Sequence, residues 1–378
     1  LSSALCGLAP SVPTLVAARI LQAGGAALMV PTSLGLLLVE FPSSMRAQVV
    51  GLWSAVGAVG GAAGPPLGGL LVEASWRWVF LVALPFGLVA FAVGARILKE
   101  EREPGDAPMP DLLGAALLAA SVALGVLGIV EGQGWGWGSA RIVGAFALAV
   151  AGLALFARRS SRHEAPVVEP VLLRLPGFVP ANLASLAFFA AFGAMLLSAS
   201  LFLTGVWHYS TLKAGLALAP GPVMAAAGSV AGGRIVGRYG PRAAALPGAL
   251  IFAAAQAWMG LRMEATPDYL GTFLPGNLLG GLGVGFVISA LSAAVAASLP
   301  PERFSTGTGV FSMMRQIGSA LGIAILIAIV RVPDPADPAA VFHHAWAFMS
   351  VTAIGVAMIA ATLDRKRAPK PIPEPVLA

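Results

Sequence analysis

Two arginines, Arg19 and Arg315, stand inside long apolar runs, and theirs is the first chemistry in the chain that needs an explanation. A guanidinium keeps its proton under ordinary conditions and presents five donors. At membrane depth it costs roughly a few kcal/mol unless water, a partner helix or a ligand meets it. Arg19 lies roughly 9 Å into its run, at ~1.5 Å per residue from Pro13. Gln22, Ala26, Met29 and Ser33 follow it at three-to-four spacing. Position alone leaves two readings open for Arg19, a cavity-facing charge and a side chain snorkelling to the interface. Arg315 lies about 12 Å into the run 307–330, within a polar-or-small stripe of Thr308, Ser312, Arg315, Ser319 and Gly322. That depth favours a cavity or inter-helix role over snorkelling.

Little else could do chemistry. One cysteine, Cys6, excludes a disulfide framework and a cysteine-based zinc site. Four histidines include one adjacent pair, His343–His344, placed in a loop and best read as interfacial. There is no paired-carboxylate site, histidine cluster or nucleophile–base arrangement. The expectation is no catalytic residue, no metal and no cofactor, hence no enzyme.

Glycines mark the other candidate positions. In 57–69 (GAVGGAAGPPLGG), Gly60, Gly64 and Gly68 recur every fourth residue, a face on which another backbone can come close. Pro65 and Pro66 remove amide donors there and predict a kink. Gly276, Asn277, Gly280, Gly281, Gly285 and Ser289 form a second small-residue face, for a cavity or helix packing. The segment 233–242 (GRIVGRYGPR) reads as a short turn with Arg234, Arg238 and Arg242, reversed tightly at Gly240–Pro241.

The elements that must position these residues follow from composition. Of 378 residues, 58% are hydrophobic and 11% charged, against about 25% charged in an ordinary globular domain. All seventeen acids fall between apolar runs or at their ends. Eleven runs, roughly 13–38, 47–71, 78–98, 112–131, 141–157, 179–206, 214–236, 243–262, 270–297, 307–330 and 345–363, approach the ~20 residues that cross a bilayer. With 39–46 cytoplasmic, the loops on that side carry Arg46, Arg96, Lys99, Arg102, Arg158, Arg159, Arg162, Arg174, Arg234, Arg238, Arg242, Arg303, Arg365, Lys366, Arg367 and Lys370. The opposite loops carry only Arg77, Arg141, Lys213, Arg262 and Arg331. This bias orients the chain by the positive-inside rule, with a cytoplasmic C-terminus. Scattered in short clusters, the basic residues make no nucleic-acid surface, and the bilayer is the expected partner.

Residues 1–9 are apolar but reach only about 14 Å as a helix, so the chain reads as opening inside a helix. Two polar stretches then divide it. The expected organisation is a remnant N-terminal bundle (1–98), a cytoplasmic linker (99–111), a central two-helix insert (112–157), a second linker (158–178), a six-helix C-terminal bundle (179–363) and a cytoplasmic tail (364–378). The insert turns at GQGWGWGS, where Trp135 and Trp137 read as interfacial anchors.

The stretches 15–31, 60–69, 76–85, 233–242 and 307–322 resemble the major facilitator superfamily, and within it the fourteen-span drug:proton antiporter (EmrB/QacA-type) branch. LxxxRxxQxGG is similar to the fourth-span motif whose arginine is linked to proton transfer, which carries to Arg19 with Gln22 beside it. Gly60-x-x-x-Gly64-Pro65-x-x-Gly68-Gly69 is similar to the fifth-span antiporter motif. The turn resembles the cytoplasmic gate loop, carrying to Gly233, Arg238, Gly240 and Arg242. Ala23 stands where a glycine is usual, Ala83 where an asparagine is common, and Gly237 where the loop motif often has aspartate.

The resemblance implies an all-α polytopic fold of two six-helix bundles with an extra central hairpin, the first two spans and most of the third absent. It also implies a multi-pass inner-membrane transporter, exporting amphiphilic small molecules or drugs against protons by alternating access, with a periplasmic adaptor protein as a compatible partner. Arg315, Asn277, Gly281, Gly285, Ser312 and Ser319 are the expected cavity or packing positions of the second half. Transport of an anionic metabolite is the rival, because the buried charges are arginines. A non-transporting membrane sensor comes third.

Overall fold

The computed structural model describes residues 1–41, 45–97, 109, 111–331 and 338–363. The expected tail 364–378, and the expected linker 99–111 apart from Met109 and Asp111, lie outside the described residues. Among the described residues every regular element is helical. Among the described residues ten helical stretches are long and apolar enough to cross a membrane, one for each expected run but 47–71. That run folds as the 29-residue helix α3 (Arg46–Ala74), which continues through Pro65 and Pro66.

The chain forms two compact units. The first, Leu1–Ala107 with His208–Pro222, holds α1 (Ser2–Gly7), α2 (Val12–Glu40), α3, α4 (Trp78–Leu81), α5 (Ala83–Ile97) and α9 (Thr211–Leu218). Ser11 sets the start of α2 with a reciprocal cap. Its amide donates to Thr14 Oγ1 at 3.1 Å, and its own Oγ accepts from the Thr14 amide at 3.4 Å. The expected single span 78–98 breaks at Val82. Pro85 is the cause, since a proline ring crowds the carbonyl four residues earlier and offers no amide to it.

The second unit, Pro108–Trp207 with Val223–Ala378, holds α6 (Leu112–Trp135), α7 (Ala140–Ser160), α8 (Phe178–Leu201), most of α10 (Pro220–Tyr239), α11 (Arg242–Arg262), α12 (Leu274–Ser298), α13 (Phe304–Val330) and α14 (Ala340–Ala360). The run expected at 214–236 is thus two helices, α9 and α10, because Pro220 and Pro222 supply no amides to continue α9. His343 and His344 lie in the first turns of α14, not in a loop, and His343 Nδ1 sits 2.6 Å from the Gly260 carbonyl.

Glycine decides which helices of this unit touch. A Cβ on Gly318 or Gly322 of α13 would run into the Leu186 and Ala190 carbonyls of α8, so only glycine lets these helices approach so closely. On α12, Gly285 lies against Ala225 of α10, and a Cβ on Gly228 of α10 would stand 2.6 Å from the Leu282 carbonyl. Where side chains are large they are rings: Phe202 meets Phe342 at 5.1 Å and Trp346 at 5.2 Å, and Phe188 meets Phe252 at 5.4 Å. In the hairpin α6–α7 it is α6 that packs on α13, and Glu131 near the end of α6 pairs with Arg331 at 3.0 Å.

Candidate functional site

In the first unit the polar chemistry gathers where α1 lies on α2. Arg19 donates through one terminal nitrogen to Gln22 Oε1 at 2.7 Å. Gln22 Nε2 donates to Ser3 Oγ at 2.8 Å, and the buried Cys6 thiol donates to Gln22 Oε1 at 3.7 Å. The guanidinium carbon stands 5.6 Å from the Phe80 ring centre. Arginine and glutamine, predicted as neighbours on one face, are therefore one hydrogen-bonded pair. Ser3 and Cys6, which the sequence did not flag, complete it from α1. Among the described residues every partner of this guanidinium is neutral, and its fork of N–H donors is suited to a negative group or an ordered water.

The glycine-rich helix α3 presents two adjacent faces. A Cβ on Gly60, Gly64 or Gly68 would meet nothing within 4 Å among the described residues. The close approach is made one residue further round, by the face of Pro65 and Gly69. A Cβ on Gly69 would stand 2.6 Å from the Thr211 carbonyl of α9, and one on Gly215 of α9 would strike the Pro65 carbonyl. The reason is angular: residues four apart share a face, and the next residue is turned by about 100°. Glu73, in the last turn of α3, accepts from the Leu212 amide at 3.4 Å. Gly215 was visible in the sequence as a small residue before Pro220, but nothing there named α3 as its partner.

In the second unit, Gly240 is left-handed at φ 89°, and its amide donates to the Val236 carbonyl at 2.9 Å, which reverses α10 into α11. Only glycine takes that backbone without strain. Gly233 and Arg238 are exposed beside this turn, with Arg238 5.2 Å from the Tyr239 ring, and Arg242 opens α11. On α12, Gly281 and Gly285 are buried and Asn277 half-buried. On α13, Ser319 Oγ would stand 2.6 Å from a Cβ on Gly193 of α8, which makes Ser319 a packing residue, whereas Ser312 is exposed. Half-buried Arg315 lies 4.6 Å from the Phe189 ring and 5.7 Å from Phe311.

A buried clasp joins the two ends of the hairpin. Asp111 Oδ1 caps α6 through the Gly114 amide at 2.8 Å and accepts from Arg159 Nε of α7 at 2.6 Å. Burial pushes the Asp111 carboxyl up. The Arg159 and Gly114 hydrogen bonds, with the charges of Arg159 and His163, more than offset this and leave it below the ordinary carboxylate value.

The sequence profile of the Major Facilitator Superfamily matches residues 1–111, 112–322 and 183–376. The chain is 33% identical to the methylenomycin A resistance protein of Streptomyces coelicolor, over 97% of this chain and 75% of that protein. It is 32% identical to the tetracenomycin C resistance and export protein of Streptomyces glaucescens, over 96% of this chain and 66% of that one. The chain thus spans about two thirds to three quarters of the length of these relatives. In fold it is similar to an auto-inhibited peptide transporter of the POT family, with a TM-score of 0.60 at 16% identity, covering 98% of this chain and 82% of that one. With ten helices fit to span a bilayer and matches along nearly its whole length, the chain belongs to the Major Facilitator Superfamily, a family of multi-pass membrane transporters and not of enzymes.

Proposed function

We propose that this chain forms the transport body of a proton-coupled exporter of amphiphilic small molecules, of the fourteen-span antiporter type, working by alternating access in the plasma membrane. The resistance and export proteins it is similar to support export as the direction. In this reading the bundle, linker and insert boundaries are those expected from the sequence, the C-terminus is cytoplasmic, and an adaptor protein is a compatible partner.

The observation that carries the reading is the Arg19–Gln22–Ser3 chain. Here a permanent cation at membrane depth is held by neutral donors and acceptors that can exchange partners as protonation nearby changes. The contact of α3 on α9 supplies the second working part. Backbone-to-backbone packing through Gly69 and Gly215 is tight, and the one charged group the described residues place across it, Glu73, makes only a long, exposed 3.4 Å contact to the Leu212 amide, so it can part and re-form at little electrostatic cost.

The test is proton-driven efflux by the Arg19→Ala variant of the intact protein in inverted vesicles. Loss of drug-dependent proton release, with insertion into the membrane retained, is the expected result. Undiminished coupling in that variant overturns the assignment.

A further inference from the structure

We infer that Arg315 is the recognition site for an anionic group on the substrate, so that the transported amphiphiles include ones bearing a carboxylate, phenolate or sulfonate. The inference rests on the export reading and narrows it to a chemical class.

Arg315 is the twelfth residue of α13, about 17 Å along the helix from Phe304 and about 22 Å from Val330. An arginine side chain cannot reach either end of the helix from there. Among the described residues it has no carboxylate within ion-pair distance. The contacts of its guanidinium are the Phe189 and Phe311 rings. Both rings are buried, at 5% and 7% exposure, so they hold the guanidinium in place and are not themselves open to a ligand. A ring face attracts a cation but accepts almost none of its five N–H groups, and those donors must end on water or on a ligand.

The surface around Arg315 points the same way. Gly318 and Gly322 commit one side of α13 to α8. On another side Ser305, Gly309, Ser312 and Gln316, three to four residues apart, are exposed. Among the described residues a Cβ added to Gly309 would meet nothing within 4 Å. A polar, open face at bilayer depth is tolerated where it lines a water-filled cavity and not where it meets lipid. A fixed cation beside hydroxyl and amide groups, with no protein anion to neutralise it among the described residues, is matched by an anion joined to a small or planar body. A guanidinium takes a carboxylate or sulfonate with two parallel hydrogen bonds, which no cationic or neutral ligand can reproduce.

The experiment compares three dyes of similar size, fluorescein (anionic), Nile red (neutral) and ethidium (cationic), with the intact protein in proteoliposomes under an imposed proton gradient. The wild type is expected to move fluorescein. Arg315→Gln is expected to lower fluorescein transport by about tenfold to a hundredfold, the range for losing a charged hydrogen bond, while transport of another dye changes less than twofold. Arg315→Lys should recover part of the loss. If the wild type moves ethidium or Nile red but not fluorescein, the anion site falls while the export reading stands. If Arg315→Gln lowers every dye equally, with unchanged insertion and melting, the arginine serves the transport cycle and the proposal is overturned. If no dye moves in the wild type, and none binds to the purified protein by fluorescence polarisation, both readings fall together.

Discussion

Arg19 and Arg315 are the same residue, each inside a long apolar helix, and their surroundings could hardly differ more. Arg19 hydrogen-bonds to an amide, which is held in turn by a serine and a thiol. Among the described residues a Cβ on nearby Gly24 of the same helix would meet nothing within 4 Å. Arg315 leans on two buried rings, and one turn away its helix is jammed against α8 through Gly318 and Gly322. Hydrogen-bonding neighbours can change partners without a helix moving, whereas two buried rings beside a close helix contact hold a side chain where it is. A charge meant to respond to a proton suits the first setting. A charge meant to stay fixed and wait for a ligand suits the second.

If that contrast holds, the largest effect of substitution belongs to the jammed side. Gly322→Val puts a branched side chain where the Ala190 carbonyl already lies. We expect about 3 kcal/mol of destabilisation or more, because backbone must move to relieve it. Melting of the detergent-purified protein checks this, with Gly309→Val on the open face of the same helix as the matched control. Equal melting of the two variants would remove the distinction between the faces of α13.

The next effect falls on transport more than on stability. Gly69→Leu and Gly215→Val each place a side chain between α3 and α9, where Pro65 and Thr211 leave no room. Efflux should fall by about tenfold or more, with the protein still inserted, since this contact is the one expected to open in each cycle. Gly64→Ala, one residue round the helix, should leave efflux within about twofold. A smaller loss is expected for Gln22→Ala, which frees one Arg19 donor and one Ser3 acceptor without removing the charge. About a fivefold fall in coupled efflux fits the loss of one exposed hydrogen bond worth about 1 kcal/mol. Cys6, its thiol no longer donating to Gln22 Oε1, should also label faster with a small maleimide.

These contrasts were unequally legible in the sequence. The spans were plain, because twenty apolar residues have few alternatives in a chain this poor in charge. Both arginines stood out for the same reason. Hidden were the partners, since helix period says which residues share a face but not which helix that face meets. So the spacing of Gly60, Gly64 and Gly68 marked a small-residue face, while the contact with α9 is made one residue round, at Pro65 and Gly69. Prolines take different places: Pro65 and Pro66 lie inside a continuous helix, whereas Pro85 and Pro220 stand in the first turns of α5 and α10, just after α4 and α9 end. Local rules give the loss of an amide but not whether neighbouring helices compensate for it.

The smallest expected effect falls on the contact that holds the two ends of the hairpin together. Asp111 joins the start of α6 to the end of α7 through Arg159, and its folded carboxyl titrates below the ordinary carboxylate value. A depressed pKa means that the folded state holds the proton less tightly than the unfolded chain does. The contribution is therefore fully present above the unfolded value and is lost as pH falls through the folded one. The clasp should be indifferent to pH between 5 and 8 and should loosen only in acid below about pH 4. Arg159→Gln removes the hydrogen bond and charge that hold the carboxyl down, so the variant should begin to loosen at a higher pH than the wild type. A cysteine pair engineered across the ends of α6 and α7, read by cross-linking yield against pH, reports this directly. If wild type and Arg159→Gln loosen at the same pH, the Asp111 cap on Gly114 is what holds the hairpin end, and the ion pair contributes nothing of its own.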